Sequence, residues 1–184
     1  MSRTGVFLDR DDTLIRDRIY LSDPDGIEIL PGVPQALRVL NERGIPVIVA
    51  TNQSGIARGF LDEELLAAIH VRLLDLLLRQ GARIDAIYHC PHHPEGTVNE
   101  YTRTCSCRKP QPGMLLEAAR DFCLDLSKCY MIGDKPEDIE TIHRVGGTGI
   151  LVRTGTMDVQ NHSADFTARD LSEAVVWILE NMTP

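Results

Sequence analysis

Short apolar runs alternate with longer amphipathic stretches along most of the chain. Apolar runs bounded by polar residues are typical of buried strands, and apolar residues repeating every three or four positions are typical of helices. The runs predict strands at 5–8, 46–50, 84–88, 130–132 and 149–152. The amphipathic stretches predict helices at 31–43, 62–79, 112–122, 136–145 and 170–181. This alternation predicts an α/β fold, a parallel sheet with helices on both faces.

Three of the predicted strands are followed at once by polar side chains. Asp9 follows the first strand, Thr51 the second and Asp134 the fourth. In an open parallel sheet, ligands bind beyond the carboxyl ends of the strands. We therefore expect these three side chains to contribute to one site.

The first strand runs directly into three carboxylates within four residues, Asp9, Asp11 and Asp12. Such a group beside a buried strand is costly unless something neutralises it, and divalent cations prefer oxygen ligands. Asp9 could be a nucleophile or a metal ligand, and Asp11 could act as general acid and base. The motif alone is equally compatible with a polar turn after an edge strand.

Other residues near the strand ends suit a phosphate group. Thr51 and Asn52 offer a hydroxyl, an amide and backbone N–H groups to phosphate oxygens. Lys109 would be a point charge for the same anion. Asp134 would add a second carboxylate to the metal, and Asp138 lies one helical turn further on. For Lys109 and Asp138, a solvated surface charge is the alternative interpretation.

Length and composition describe an ordinary globular protein. The 184 residues predict a single domain over 1–184, and 43% hydrophobic and 25% charged residues are a usual balance. The net charge of -8 argues against nucleic-acid binding. No apolar run could span a membrane, and the first strand leaves no room for a signal peptide. We expect a cytoplasmic monomer that acts on a small molecule.

Four cysteine and histidine residues flank one long loop, 89–109. Three thiolates and an imidazole complete a tetrahedral zinc set with no open position, so the predicted zinc is structural. His93 is a rival ligand, and free surface cysteines are the alternative to a metal site. Cys123 and Cys129 lack such partners and are expected to be small core residues. The predicted ligands are Cys90, His92, Cys105 and Cys107.

Four short motifs make the chain resemble the haloacid dehalogenase (HAD) superfamily of phosphatases. The resemblance implies a Rossmann-like core in which Asp9 forms an aspartyl-phosphate. Asp11 would protonate the leaving alcohol and then activate water, while Thr51 and Lys109 would hold the phosphoryl group. Asp9, the carbonyl of Asp11 and Asp134 would bind Mg²⁺. The motifs are Asp9-x-Asp11-x-Thr13, Thr51-Asn52, Lys109 and Gly133-Asp134-x-x-x-Asp138.

Longer stretches are similar to one branch of that superfamily, the D-glycero-D-manno-heptose-1,7-bisphosphate 7-phosphatases. That resemblance implies removal of the 7-phosphate from the heptose bisphosphate, with no separate cap domain. The zinc loop and the loop after the first strand would shape the pocket, Arg108 would contact substrate, and Thr13, Lys135 and Asp138 would support the site. The stretches are 51–59, 90–96, 105–114, 133–138 and 151–155.

Two departures and two alternatives accompany this resemblance. Most of the heptose branch has Gly where Asp12 stands, and the stretch 16–20 lacks the Asn-x-Asp opening common there. A histidinol-phosphate phosphatase or another small sugar-phosphate phosphatase would share the four motifs. A non-catalytic zinc-stapled binding protein is the alternative of a different class. The complete set of catalytic residues argues against it.

Overall fold

The computed structural model describes residues 3–155 and 163–182. Its sheet is entirely parallel, in the order β3-β2-β1-β4-β5-β6. This order reverses direction between β1 and β4, the switch point at which doubly wound sheets bind ligands. The prediction of a Rossmann-like parallel sheet is confirmed. The strands are β1 Val6–Leu8, β2 Val47–Asn52, β3 Ala86–Cys90, β4 Tyr130–Gly133, β5 Thr148–Val152 and β6 Phe166–Ala168.

The five predicted helices are present, with small shifts at their ends. Asp62 caps α2 by accepting the Leu65 backbone N–H at 2.8 Å, which satisfies a donor that the first turn leaves free. α1 begins after Gly32, whose left-handed backbone (φ 81°) cannot continue into a helix. The helices are α1 Val33–Glu42, α2 Glu63–Leu78, α3 Gly113–Phe122, α4 Pro136–His143 and α5 Leu171–Asn181.

Hydrophobic side chains on the two faces of the sheet form two core clusters. Successive side chains of a strand point to opposite faces, so Val6 and Leu8 join one cluster and Phe7 the other. Residues of α1, α2 and α5 pack on the Val6 side, and residues of α3 and α4 pack on the Phe7 side. Both faces are thus covered, as an all-parallel sheet requires.

The structure differs from the prediction at several strand ends and at one cysteine; β2, for example, extends to Asn52 and so includes Thr51. β6 was not predicted, because Phe166–Ala168 is too short for a recognisable apolar run. β3 extends to Cys90, which places that thiol at a strand end. Cys123 is exposed in a left-handed cap after α3, so its prediction as a core residue was wrong, whereas Cys129 is fully buried. None of the described helices is both long and apolar enough to span a bilayer.

Candidate active site

Asp9, Lys109 and Asp138 meet at the carboxyl end of β1. The Lys109 Nζ atom lies 2.8 Å from Asp9 Oδ1 and 2.5 Å from Asp138 Oδ1. All three side chains are buried. Burial alone would raise the pKa of Asp9, but the positive charges of Lys109 and Lys135 outweigh it and hold that pKa below its ordinary value. The Asp9 carboxylate is therefore ionised, as a nucleophile must be.

Asp138 positions Lys109, and neither residue is a solvated surface charge. One Asp138 oxygen accepts a hydrogen bond from Lys109 Nζ, and the other accepts the Lys135 backbone N–H at 3.1 Å. Burial raises the pKa of Asp138 to about 6 although Lys109 opposes the shift. Gly133 makes this packing possible, since a Cβ atom there would overlap the Asp138 carboxylate.

Asp134, directly after β4, fits a divalent cation. Its Oδ1 is buried without a hydrogen-bond partner among the described residues, and Lys135 Nζ lies 3.9 Å away. Burial raises the pKa of Asp134 to about 7; Lys135 opposes the shift, and Asp9 adds to it. One oxygen each of Asp9, Asp134 and Asp138 lies within 4.8 Å of the others. An added cation would offset this excess of negative charge, so the residues fit Mg²⁺.

Asp11 is held by two residues that the sequence analysis missed. Arg10 donates from Nε to Asp11 Oδ1 at 3.1 Å and from Nη2 to Oδ1 at 2.9 Å and Oδ2 at 3.0 Å. Gln53 donates from Nε2 to Asp11 Oδ2 at 3.0 Å and to Thr51 Oγ1 at 2.8 Å. Arg10 stands between the two motif acids in the sequence, and this position is the one signal that could have drawn attention to it.

Thr51 and Asn52 close β2, beside the end of β1. The Thr51 hydroxyl is fully buried and oriented by Gln53. The Asn52 amide is bonded to the backbone of Lys109. The Thr51 hydroxyl therefore lies at the carboxyl end of β2, and the side-chain amide of Asn52 is bonded to the Lys109 backbone.

A cavity of about 220 Å³ opens beside Asp11. The segment 17–21 after β1 forms one wall, as expected, whereas no described residue of the zinc loop 89–109 lines this cavity. Tyr20 stacks on Phe60 with ring centroids 4.4 Å apart. A cavity of this size can hold the part of a small substrate that lies beyond the reacting phosphate. The lining residues are Arg10, Asp11, Asp17, Ile19, Tyr20, Leu21, Asn52, Gln53, Ser54, Gly55 and Lys135.

Asp12 connects the catalytic motif to that wall. Its backbone is left-handed (φ 53°), a conformation that glycine adopts more readily. Its carboxylate accepts the Asp17 backbone N–H at 2.9 Å. Asp12 therefore adds a contact to the cavity wall that a glycine could not supply. Thr13, the next residue of the motif, is buried.

Three sulfurs and one imidazole nitrogen converge in the loop after β3. The Cys107 sulfur lies 3.2 Å from that of Cys90, 3.3 Å from that of Cys105 and 3.4 Å from His92 Nδ1. Zinc–sulfur bonds of about 2.3 Å in a tetrahedron place sulfurs about 3.8 Å apart, close to these values. Burial raises the pKa of the Cys90 thiol, so a thiolate there needs a cation. The set fits zinc.

The neighbours of this cluster have other partners. His93 accepts the Glu95 backbone N–H at Nδ1 and faces Arg58 at Nε2, so its ring is turned away from the thiols. Arg108 donates to the carbonyl of His92, while Lys109 reaches Asp9. The side chains of Arg108 and Lys109 therefore diverge, and Arg108 lies against the loop rather than in the wall of the cavity.

Comparison with known proteins places this geometry in context. Residues 106–174 match a family model described as HAD-hydrolase-like. The D-glycero-beta-D-manno-heptose-1,7-bisphosphate 7-phosphatase of Escherichia coli is 39% identical over 98% of this chain and 96% of its own. The phosphatase of the same name from Photorhabdus laumondii is 45% identical over 82% of this chain and 81% of its own.

A solved structure has the same fold. The D,D-heptose 1,7-bisphosphate phosphatase of B. bronchiseptica, complexed with magnesium and phosphate, superposes with a TM-score of 0.83 at 32% identity. The match covers 96% of this chain and 98% of that one. The likeness therefore extends over the whole sheet and the loops at its carboxyl edge.

Proposed function

Because the chain belongs to the HAD-like D-glycero-D-manno-heptose-1,7-bisphosphate 7-phosphatase family, and is a phosphoric monoester hydrolase, we propose that it removes the 7-phosphate of D-glycero-D-manno-heptose 1,7-bisphosphate. The observation that carries this proposal is the junction of Asp9, Lys109 and Asp138 beside a cavity that also contains Asp11. It unites an ionised nucleophile, a cation for the phosphoryl group and an acid–base residue.

The first step forms the aspartyl-phosphate. A carboxylate oxygen of Asp9 attacks the phosphorus of the 7-phosphate, and the bond from phosphorus to the sugar oxygen breaks. That oxygen takes a proton from the carboxyl group of Asp11. Lys109 and the Thr51 hydroxyl stabilise the charge on the phosphoryl oxygens.

The second step hydrolyses the intermediate. The Asp11 carboxylate takes a proton from a water molecule, whose oxygen attacks phosphorus. The bond between phosphorus and the Asp9 oxygen breaks, inorganic phosphate is formed, and Asp11 regains the proton it gave. Covalent catalysis thus divides one difficult step into two easier ones.

We propose that Asp9, the carbonyl oxygen of Asp11 and Asp134 hold Mg²⁺. When bound, Mg²⁺ would supply charge neutralisation at the phosphoryl oxygens. The buried Asp134 Oδ1, which has no hydrogen-bond partner among the described residues, supports this ligand set. Zinc at Cys90, His92, Cys105 and Cys107 is proposed as a structural ion, since all four positions would be taken.

A substrate panel tests the proposal. Initial rates with Mg²⁺ would give kcat/KM for both anomers of the heptose bisphosphate, for histidinol phosphate and for p-nitrophenyl phosphate. We expect one bisphosphate anomer to exceed the other substrates by at least about tenfold, a difference of about 1.4 kcal/mol in transition-state binding. A preference for histidinol phosphate would show that the heptose bisphosphate is not the substrate. If none of these esters is hydrolysed, the proposal that the protein is an enzyme is overturned.

The neighbouring cations Lys109 and Arg108 are proposed to bind different parts of the substrate. Lys109 is proposed to hold the transferring phosphoryl group. Arg108 is proposed to contact a more distant part of the substrate on the zinc-loop side of the site, outside the cavity beside Asp11, because it donates there to the His92 carbonyl. Arg108→Ala is expected to lower kcat/KM for the bisphosphate more than for p-nitrophenyl phosphate, whereas Lys109→Ala lowers both. Equal losses for Arg108→Ala would show that Arg108 does not contact the distant part.

The proposal also has consequences for the setting of the reaction. The substrate is a small anionic sugar on a chain of net charge -8, so the attraction is local, from Lys109, Arg108, Lys135 and the metal. We propose a monomer acting in the cytoplasm, in nucleotide-activated heptose synthesis, with neither nucleic acid nor membrane as a partner. Sedimentation at assay concentration tests the oligomeric state.

A further inference from the structure

Arg10 is a buried cation in which every nitrogen of the guanidinium group has a partner. Its side chain is 2% exposed. Nε and Nη2 donate to Asp11, Nη2 also lies 2.9 Å from Gln53 Oε1, and Nη1 lies 3.3 Å from His70 Nε2. The mechanism above assigns this residue no role, although it contacts the acid–base residue directly.

The contacts define the orientation of the Asp11 carboxylate. A carboxylate has about four lone-pair sites, and each Asp11 oxygen accepts two N–H contacts from Arg10 and Gln53. We propose that Arg10 is the positioning residue for Asp11 and that Gln53 completes the support. This inference rests on the proposed function, since it assigns a role within that reaction.

The Nη2 group of Arg10 also joins the two supports of Asp11. It lies within hydrogen-bond distance of both Asp11 oxygens and of Gln53 Oε1, although it carries only two hydrogens. Nε donates to Asp11 Oδ1 at 3.1 Å, so the carboxylate keeps a donor from Arg10 when Nη2 donates to Gln53.

Two further residues fix this support in the fold. Gln53 Nε2 donates to both Asp11 Oδ2 and Thr51 Oγ1, and so links the acid–base group to the hydroxyl proposed to hydrogen-bond the phosphoryl oxygens. On the other side, burial lowers the pKa of His70 to about 3. The neutral imidazole can accept from Arg10 Nη1 without adding a second positive charge.

The leaving group of the substrate distinguishes positioning from a structural role. General acid catalysis matters for alkyl leaving groups and little for activated aryl ones, and is worth about 10²–10⁴-fold. Arg10→Met should lower kcat for the heptose bisphosphate by about 30- to 100-fold and for p-nitrophenyl phosphate by less than about fivefold. Arg10→Lys and added guanidinium ion should each restore part of the lost rate.

Two controls accompany these variants. Arg79→Met removes an exposed arginine that pairs with Asp75 on α2 and should leave both substrates unchanged. Adding Arg10→Met to Asp11→Asn should cost little beyond Asp11→Asn alone, because a positioning residue acts through its partner.

Several outcomes would overturn the inference. These are equal losses on both substrates, a rise in KM without a fall in kcat, or independent losses in the double variant. If Arg10→Met does not fold, Arg10→Lys supplies the test and must show the same leaving-group dependence in smaller measure. Turnover of the bisphosphate by the wild-type enzyme decides the proposed function separately, whatever Arg10→Met does.

Discussion

The side-chain amide of Asn52 forms two hydrogen bonds with the backbone of Lys109. Asn52 Oδ1 accepts the Lys109 N–H at 3.0 Å, and Asn52 Nδ2 donates to the Lys109 carbonyl at 3.2 Å. The pair joins the end of β2 to the end of the zinc loop, 57 residues away. The Lys109 backbone is therefore held from one side by Asn52 and from the other by Cys107, which lies two residues before it in the zinc loop.

Removal of this clamp should slow the reaction more than it destabilises the protein. We expect Asn52→Ala to lower kcat/KM by about 10- to 100-fold, because small displacements of a positioning group are costly in rate. The loss should be smaller in a Lys109→Ala background. Asn41 makes the same reciprocal pair with the Arg83 backbone, so Asn41→Ala is the control. A similar loss of activity in that variant would contradict the role of Asn52.

Replacement of the nucleophile should abolish turnover without loss of the fold. In Asp9→Asn the amide keeps the shape of the side chain but cannot form the acyl-phosphate. We expect kcat below about one thousandth of wild type, with an unchanged far-UV circular dichroism spectrum. More than a few per cent of the wild-type rate in the folded variant would refute Asp9 as nucleophile.

Loss of the loop metal should impair catalysis while the sheet remains folded. We expect one zinc per chain by elemental analysis of protein purified without chelators. Cys107→Ser should lower both zinc content and kcat/KM, the latter by about a hundredfold, since Cys107 precedes Arg108 and Lys109 directly. Cys123→Ser, at an exposed cysteine outside the cluster, should change neither. Wild-type protein without zinc would refute the site.

The contact from Asp12 to the Asp17 backbone should affect substrate binding more than chemistry. Asp12→Gly removes one hydrogen bond to a charged acceptor, worth about 1–2 kcal/mol. KM for the heptose bisphosphate should rise about fivefold or more, with kcat for p-nitrophenyl phosphate unchanged. Asp12→Asn keeps an acceptor and should behave like wild type. A lower kcat on both substrates would show that Asp12 acts on the reacting group.

The half-buried His70 predicts a loss of stability in mild acid. Its pKa is about 3 in the folded protein, against an ordinary value of 6.5. Below pH 6.5 the unfolded chain binds a proton at this histidine that the folded protein does not. The contribution of His70 to the free energy of unfolding is therefore fully present above pH 6.5. It is lost as the pH falls toward 3, by up to about 1.4 kcal/mol per pH unit. Between pH 7.5 and 5.5 the urea midpoint of wild type should fall more than that of His70→Gln. Equal falls in the two proteins would contradict the prediction.

The sequence by itself predicted the elements of the fold and the residues proposed to carry the chemistry. Apolar periodicity is local, so it located the five α-helices and five of the six strands seen in the described part of the chain. Polar residues directly after strands indicated Asp9, Thr51 and Asp134, because parallel strands bring their carboxyl ends to one edge. The spacing of the thiols likewise indicated the zinc set, since its ligands flank one loop.

Only the tertiary structure decided what each of these side chains contacts. Lys109 and Asp138 could have been surface charges, and packing buries both as a pair. Asn52 bonds the Lys109 backbone, and Arg10 joins Asp11 to Gln53, because the folded sheet brings together segments that are 40 to 60 residues apart. Such partners depend on the simultaneous placement of several elements, and no local pattern encodes that placement.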